Sequence, residues 1–114
     1  MKLQDKLILP EPCEDSEPSW FGFLITCKED GDRNRIVEYL EAHGVQTRML
    51  FAGNLIRHPC FDEMRRSKKG YRIVGDLSVT DKIMRDTFWV GVYPGMNDNM
   101  LDYMGKMIRE AVLR

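Results

Sequence analysis

At 114 residues the chain is long enough for one hydrophobic core and too short for several. With 43% hydrophobic and 31% charged residues it is not a disordered chain, and no apolar run approaches the roughly 20 residues that span a bilayer. A net charge of −1 gives no global attraction to nucleic acid or anionic lipid, so neither is an expected partner.

The opening residues carry a short apolar patch and then turn acidic, with prolines at 10, 12 and 18. They lack the long apolar core of a secretion signal and read as an extended arm or linker over residues 1–19. Three widely spaced cysteines, Cys13, Cys27 and Cys60, fit free thiols in a reducing cytoplasm.

Aromatic and β-branched residues from 20 to 26 predict the first strand. Asp32 is a candidate cap for a helix with Ile36, Tyr39, Leu40 and His43 on one face, and Gly44 is placed to end it. Residues 45–51 predict a second strand. Residues 62–76 show no sustained period and read as loop, with a short strand at 71–74. A brief helix follows, capped by Thr80 and running through Met84, and residues 87–93 make a third strand stopped by Pro94 and Gly95. The final helix begins near Asn97, with Met100, Leu101, Met104, Met107, Ile108, Ala111 and Val112 as one core-facing stripe. The expected fold class is α+β, a two-layer sandwich. It has a small three-stranded, mainly antiparallel sheet with helices on one face. Trp20, Phe21, Phe23, Phe88 and Trp89 leave much aromatic surface for so small a sheet.

Residues 47–61, TRMLFAGNLIRHPCF, crowd hydrogen-bonding groups where the second strand stops. Strand ends leading into irregular loops are where α/β proteins often hold ligands. Read blandly, Arg48 is a surface residue, Asn54 a turn former and His58 a loop residue. No closely spaced ligand pair for zinc or an iron–sulfur cluster occurs. His58 and Cys60 need not face each other, so Cys60 reads as half-buried and inert. The basic run from Arg65 to Arg72 reads as a solvated loop, since the glycine–aromatic signature of an RNA platform is missing.

The phrases SWFGFLIT, GVQTRMLFAGNLIRHPCF and YRIVGDLSVTDKIMRDTFWVGVYPG occur in order. Across residues 19–105 the chain resembles the nucleotide-sugar 3-dehydrases of lipopolysaccharide biosynthesis, typified by those acting on CDP-4-keto-6-deoxyglucose. These sit among the DegT/DnrJ/EryC/StrS-type sugar aminotransferases, pyridoxal-phosphate (PLP) enzymes of the aspartate-aminotransferase fold (fold type I). The resemblance is to the smaller C-terminal domain. It implies an arm or linker over 1–19 and the small domain over 20–114, inactive alone, with no catalytic residue or cofactor contact of its own. In the full-length enzyme it implies a pyridoxal or pyridoxamine phosphate (PMP) cofactor held mainly by a large domain, C3 deoxygenation of a CDP-sugar, and a homodimer. It also implies that Arg48, Asn54 and His58 contact the sugar nucleotide, with Phe51 and Pro59 as walls. Two other readings are the small domain of a sugar aminotransferase and an autonomous ligand-binding or regulatory module.

Overall fold

Leu7 is the first buried side chain among the described residues. In the computed structural model, which describes residues 3–114, a single helical turn, α1 (Leu3–Lys6), leads into a two-residue strand, β1 (Leu7–Ile8). Leu7 is buried and pairs with Cys27, while Lys28 donates from its ammonium to the Gln4 carbonyl at 2.6 Å. Part of the expected arm is therefore an edge strand and the sheet has four strands, not three; residues 1 and 2 of the arm lie outside the described residues. The departure has a simple cause: two residues are too few for a sequence period, and only the pairing partner fixes them.

The remaining strands are β2 (Gly22–Cys27), β3 (Thr47–Met49) and β4 (Thr87–Gly91), with α2 (Asp32–Ala42) between β2 and β3. Between β3 and β4 come two 3₁₀ turns, Leu55–Arg57 and Pro59–Phe61, then α3 (Asp62–Ser67) and α4 (Ser78–Asp86); α5 (Asp98–Leu113) closes the chain. The sheet order is β1-β2-β4-β3 and every pairing is antiparallel.

Alternation along the strands divides the sheet into two faces. Ile25, Cys27, Phe88 and Val90 are buried against Ile36 and Leu40 of α2 and Met107, Ala111 and Val112 of α5. Leu24, Thr26 and Trp89 lie on the opposite, open face, where the Thr26 and Thr87 hydroxyls hydrogen-bond at 2.8 Å. The C-terminal stripe is core only in its second half: Met100 and Leu101 are exposed, whereas Met107, Ala111 and Val112 are buried. Asn97 caps that helix by accepting from the Met100 amide at 3.0 Å.

Several boundaries differ from expectation. Residue 31, not 32, caps α2: Gly31 takes φ 90°, and Asp32 sits in the first turn, where its charge suits the helix dipole. Gly44 leaves that helix at φ 75°, as expected. The second strand stops at Met49 because the Phe51 amide turns back onto the Met49 carbonyl at 2.8 Å. Residues 62–67 are helical and 71–74 form no strand. Leu77, not Thr80, precedes α4, and Asp76 accepts from the Ser78 amide and hydroxyl at 3.0 and 2.8 Å.

Candidate functional site

Thr47 begins β3 under firm control from α2. Glu41 accepts from its amide at 2.6 Å and its hydroxyl at 2.7 Å, and these bonds hold the Glu41 carboxyl below its usual range. Arg48 follows on the open face directly opposite Trp89; it is exposed, and one guanidinium nitrogen donates to the Thr47 carbonyl at 2.8 Å.

The chain then turns sharply. Phe51 has φ 45° and Gly53 φ 61°. The second of these needs glycine twice over, since a Cβ there would sit 2.5 Å from Met84 Cγ of α4. Asn54 is only 3% exposed. Its Nδ2 donates to Asp81 of α4 at 2.8 Å and its Oδ1 accepts from the Ile56 amide at 3.2 Å, capping the first 3₁₀ turn. Both ends of the carboxamide are engaged within the chain, so Asn54 shapes the loop. Arg57 donates to both Asp81 oxygens at 3.2 and 2.7 Å, and this pair, with Asn54, lowers the Asp81 carboxyl to about 2.

His58 closes the loop on itself: its Nε2 lies 2.5 Å from the Ala52 carbonyl. A carbonyl only accepts, so Nε2 carries the proton, and Nδ1 is the ring's remaining polar atom. Arg65 of α3 braces the same segment through the carbonyls of Ile56 and His58 and through Asp62. Pro59 is exposed at the start of the second 3₁₀ turn, and Cys60, expected to be half-buried, is exposed.

Trp89 joins Arg48 to this loop. Its ring centroid is 5.4 Å from Phe21 and 6.5 Å from Phe51, and its Nε1 donates to the Met49 carbonyl at 3.2 Å. A Cβ on Gly22 would come within 2.3 Å of the indole, so glycine lets the ring lie across β2. Phe21 and Phe51 are 78% and 77% exposed, and with Trp20, Leu24 and Leu50 they frame a cavity of about 240 Å³. The structure thus presents Arg48, Phe51 and Pro59 outward, leaves His58 half-buried against its own loop, and turns Asn54 inward. Asp81, Arg57, Trp89 and Gly22 went unnoticed as site-builders in the sequence. The spacing of Asn54 and Asp81, 27 residues apart, carries no periodic signal.

Comparison with known proteins adds to this geometry. Residues 1–109 match the model of the DegT/DnrJ/EryC1/StrS aminotransferase family. The chain belongs to this family. It is 49% identical over 106 residues to the lipopolysaccharide biosynthesis protein RfbH of Salmonella typhimurium, covering 91% of this chain and 23% of that protein. It is 44% identical over 110 residues to the dTDP-4-dehydro-2,6-dideoxy-D-glucose 3-dehydratase of Saccharopolyspora spinosa, covering 95% and 23%. The chain therefore spans about a quarter of the length of these curated relatives. Among solved structures, a family aminotransferase from Brucella abortus superposes with a TM-score of 0.76 at 17% identity, over 98% of this chain and 28% of the other. E. coli GDP-4-keto-6-deoxy-D-mannose-3-dehydratase with bound hydrated PLP superposes at 0.66 with 21% identity, over 94% and 25%. These likenesses show the fold, that of the fold type I enzymes.

On α4, two groups whose chemistry could serve PLP or PMP are engaged within the chain. Asp81 is occupied by Asn54 and Arg57. Lys82, next on α4, is spent on the Cys27 and Lys28 carbonyls and on Asp30 and Asp86.

Proposed function

We propose that this chain is the segment of a PLP- or PMP-dependent nucleotide-sugar 3-dehydratase that closes over the sugar nucleotide. The observation that carries the reading is the self-satisfied loop from Phe51 to Pro59. Its own hydrogen bonds are met by α3, α4 and its own backbone, which leaves the Phe51 ring and Pro59 exposed and the half-buried His58 imidazole with Nδ1 unspent. Arg48 lies across Trp89 from them. An aromatic wall suits a sugar ring, an imidazole nitrogen suits a hydroxyl, and a guanidinium suits phosphate oxygens. Dehydratase is preferred to aminotransferase because one curated relative is named a sugar 3-dehydratase.

When bound to the longer polypeptide, the cofactor supplies the electron sink for C3–O cleavage. The residues described here bind, orient and exclude water. A CDP-linked 4-keto sugar is the proposed substrate, and the working state is a cytoplasmic homodimer without nucleic-acid or membrane partners.

The test uses the longer polypeptide that carries this segment, given PMP and CDP-, GDP- or dTDP-linked 4-keto-6-deoxyhexoses. Mass spectrometry should show loss of oxygen at C3. Gain of an amino group at C4 with the oxygen retained would establish a sugar aminotransferase instead, and no turnover of any would defeat both.

A further inference from the structure

The loop after α3 holds unspent positive charge beside an apolar hollow. Lys68, Lys69 and Arg72 are exposed, and none has a partner among the described residues. Gly70 keeps this loop tight on α3, since a Cβ there would lie 2.8 Å from Met64 Cε. Arg72 borders a cavity of about 360 Å³, which Phe61 and Tyr71 line with rings and Leu55 and Ile73 with aliphatic surface. Leu55 and Ile73 are 60% and 44% exposed, so the chain leaves this surface uncovered. Cations at the rim of a ring-lined hollow fit an acidic segment that also carries an apolar group.

The chain carries such a segment. Glu11, Glu14, Asp15 and Glu17 of the arm are exposed and likewise without partners among the described residues. The arm is shaped at this point: the Ser16 amide and hydroxyl donate to the Cys13 carbonyl at 3.2 and 2.7 Å, which sets Glu14 and Asp15 at the tip of a turn. Pro12, also exposed, precedes the turn. A proline loses little conformational freedom on docking and packs well on aromatic rings. Within one chain these acids do not meet these cations. The same acids repel an anionic lipid surface or a nucleic acid, which favours protein as the occupant of the basic rim.

We propose that this cavity and its cationic rim receive the acidic arm of a second copy of the chain. Glu14 and Glu17 pair with Lys69 and Arg72 of the other copy, and Pro12 enters between Phe61 and Tyr71. Each copy offers both an arm and a rim, so reciprocal use closes a two-fold pair rather than an open filament. Exposed ion pairs are weak singly, so they select the partner and its register, while exposed apolar surface such as Phe21 and Phe51 holds the pair together. The contact is independent of the sugar chemistry.

The experiment reads self-association of the 114-residue chain by sedimentation. Glu14→Lys with Glu17→Lys, or Lys69→Glu with Arg72→Glu, should each raise the dimer dissociation constant at least about tenfold. Salt at about 0.5 M should weaken the wild-type pair in the same direction. All four side chains are exposed, so the fold should survive each change, as circular dichroism would verify. A chain with all four substitutions keeps the wild-type net charge. It should pair with itself and fail to pair with the wild type, because each arm then meets a rim of its own sign. Three results would overturn the assignment: a wild-type chain that stays monomeric, paired reversals that leave association unchanged, or a fourfold variant that joins the wild type as readily as itself. Sedimentation tests this contact and turnover by the longer polypeptide tests the functional reading, so either can fail alone.

Discussion

Asn54 and Asp81 meet at 2.8 Å across 27 residues of sequence, and through them the loop after β3 is fastened to α4. Truncating Asn54 to alanine unsatisfies the Ile56 amide and removes a partner of Asp81 at a site 3% exposed. A loss of about 1–3 kcal/mol is expected, read by urea denaturation, with the larger effect on hydrogen exchange at Ile56.

Asp81 also makes stability depend on pH. Its folded carboxyl is lowered from 3.8 to about 2, first by Arg57 and then by Asn54. Its stabilisation is therefore complete above the unfolded value and disappears as pH falls from about 4 toward 2. Asp81→Asn should flatten that part of the stability curve in acid titrations followed by circular dichroism. An unchanged acid limb would show that other carboxylates govern it.

Gly53→Ala should be costly in this loop. It places a Cβ 2.5 Å from Met84 at φ 61°, so both strain and clash oppose it. A fall of at least about 1–2 kcal/mol is expected from left-handed strain alone. Gly31→Ala, with φ 90° and nothing within 4 Å, is the control that carries backbone strain without the clash.

The three thiols should separate by reactivity. Cys13 and Cys60 are exposed, whereas Cys27 is buried and desolvation pushes its thiol up to about 11. Two equivalents should react quickly with a thiol reagent at neutral pH, and the third only on unfolding. Rapid labelling of all three would mean that β2 opens locally.

Phe21 and Phe51, both more than three-quarters exposed, should drive association in concentrated solution. Sedimentation at several concentrations should show dimers that Phe21→Ser with Phe51→Ser abolishes. A strictly monomeric wild-type chain would remove this expectation.

Much of this architecture was legible in the sequence because it rests on local signals. The apolar face of α2, the run at Thr87–Gly91 and the Asn97 cap each declare themselves within one element. The resemblance of the phrase around Arg48 to a known family located the loop. What stayed hidden was set by partners distant in sequence. Leu7 becomes a strand only because Cys27 is beside it, and Asn54 turns inward only because Asp81 waits there. Trp89 lies across a glycine whose role is invisible until β2 and β4 are paired.

A three-residue strand at the sheet edge has too few ladder bonds to fix its own phase, and slipping by one residue would turn its side chains to the wrong sides. Glu41 resolves the ambiguity from outside the sheet. Because it grips the backbone and the hydroxyl of Thr47 together, only one alignment of Thr47–Met49 satisfies it, with Thr47 inward and Arg48 outward. The carboxylate on α2 thus works as an index pin, and the side of the sheet on which the guanidinium emerges is decided by a residue that never faces that side.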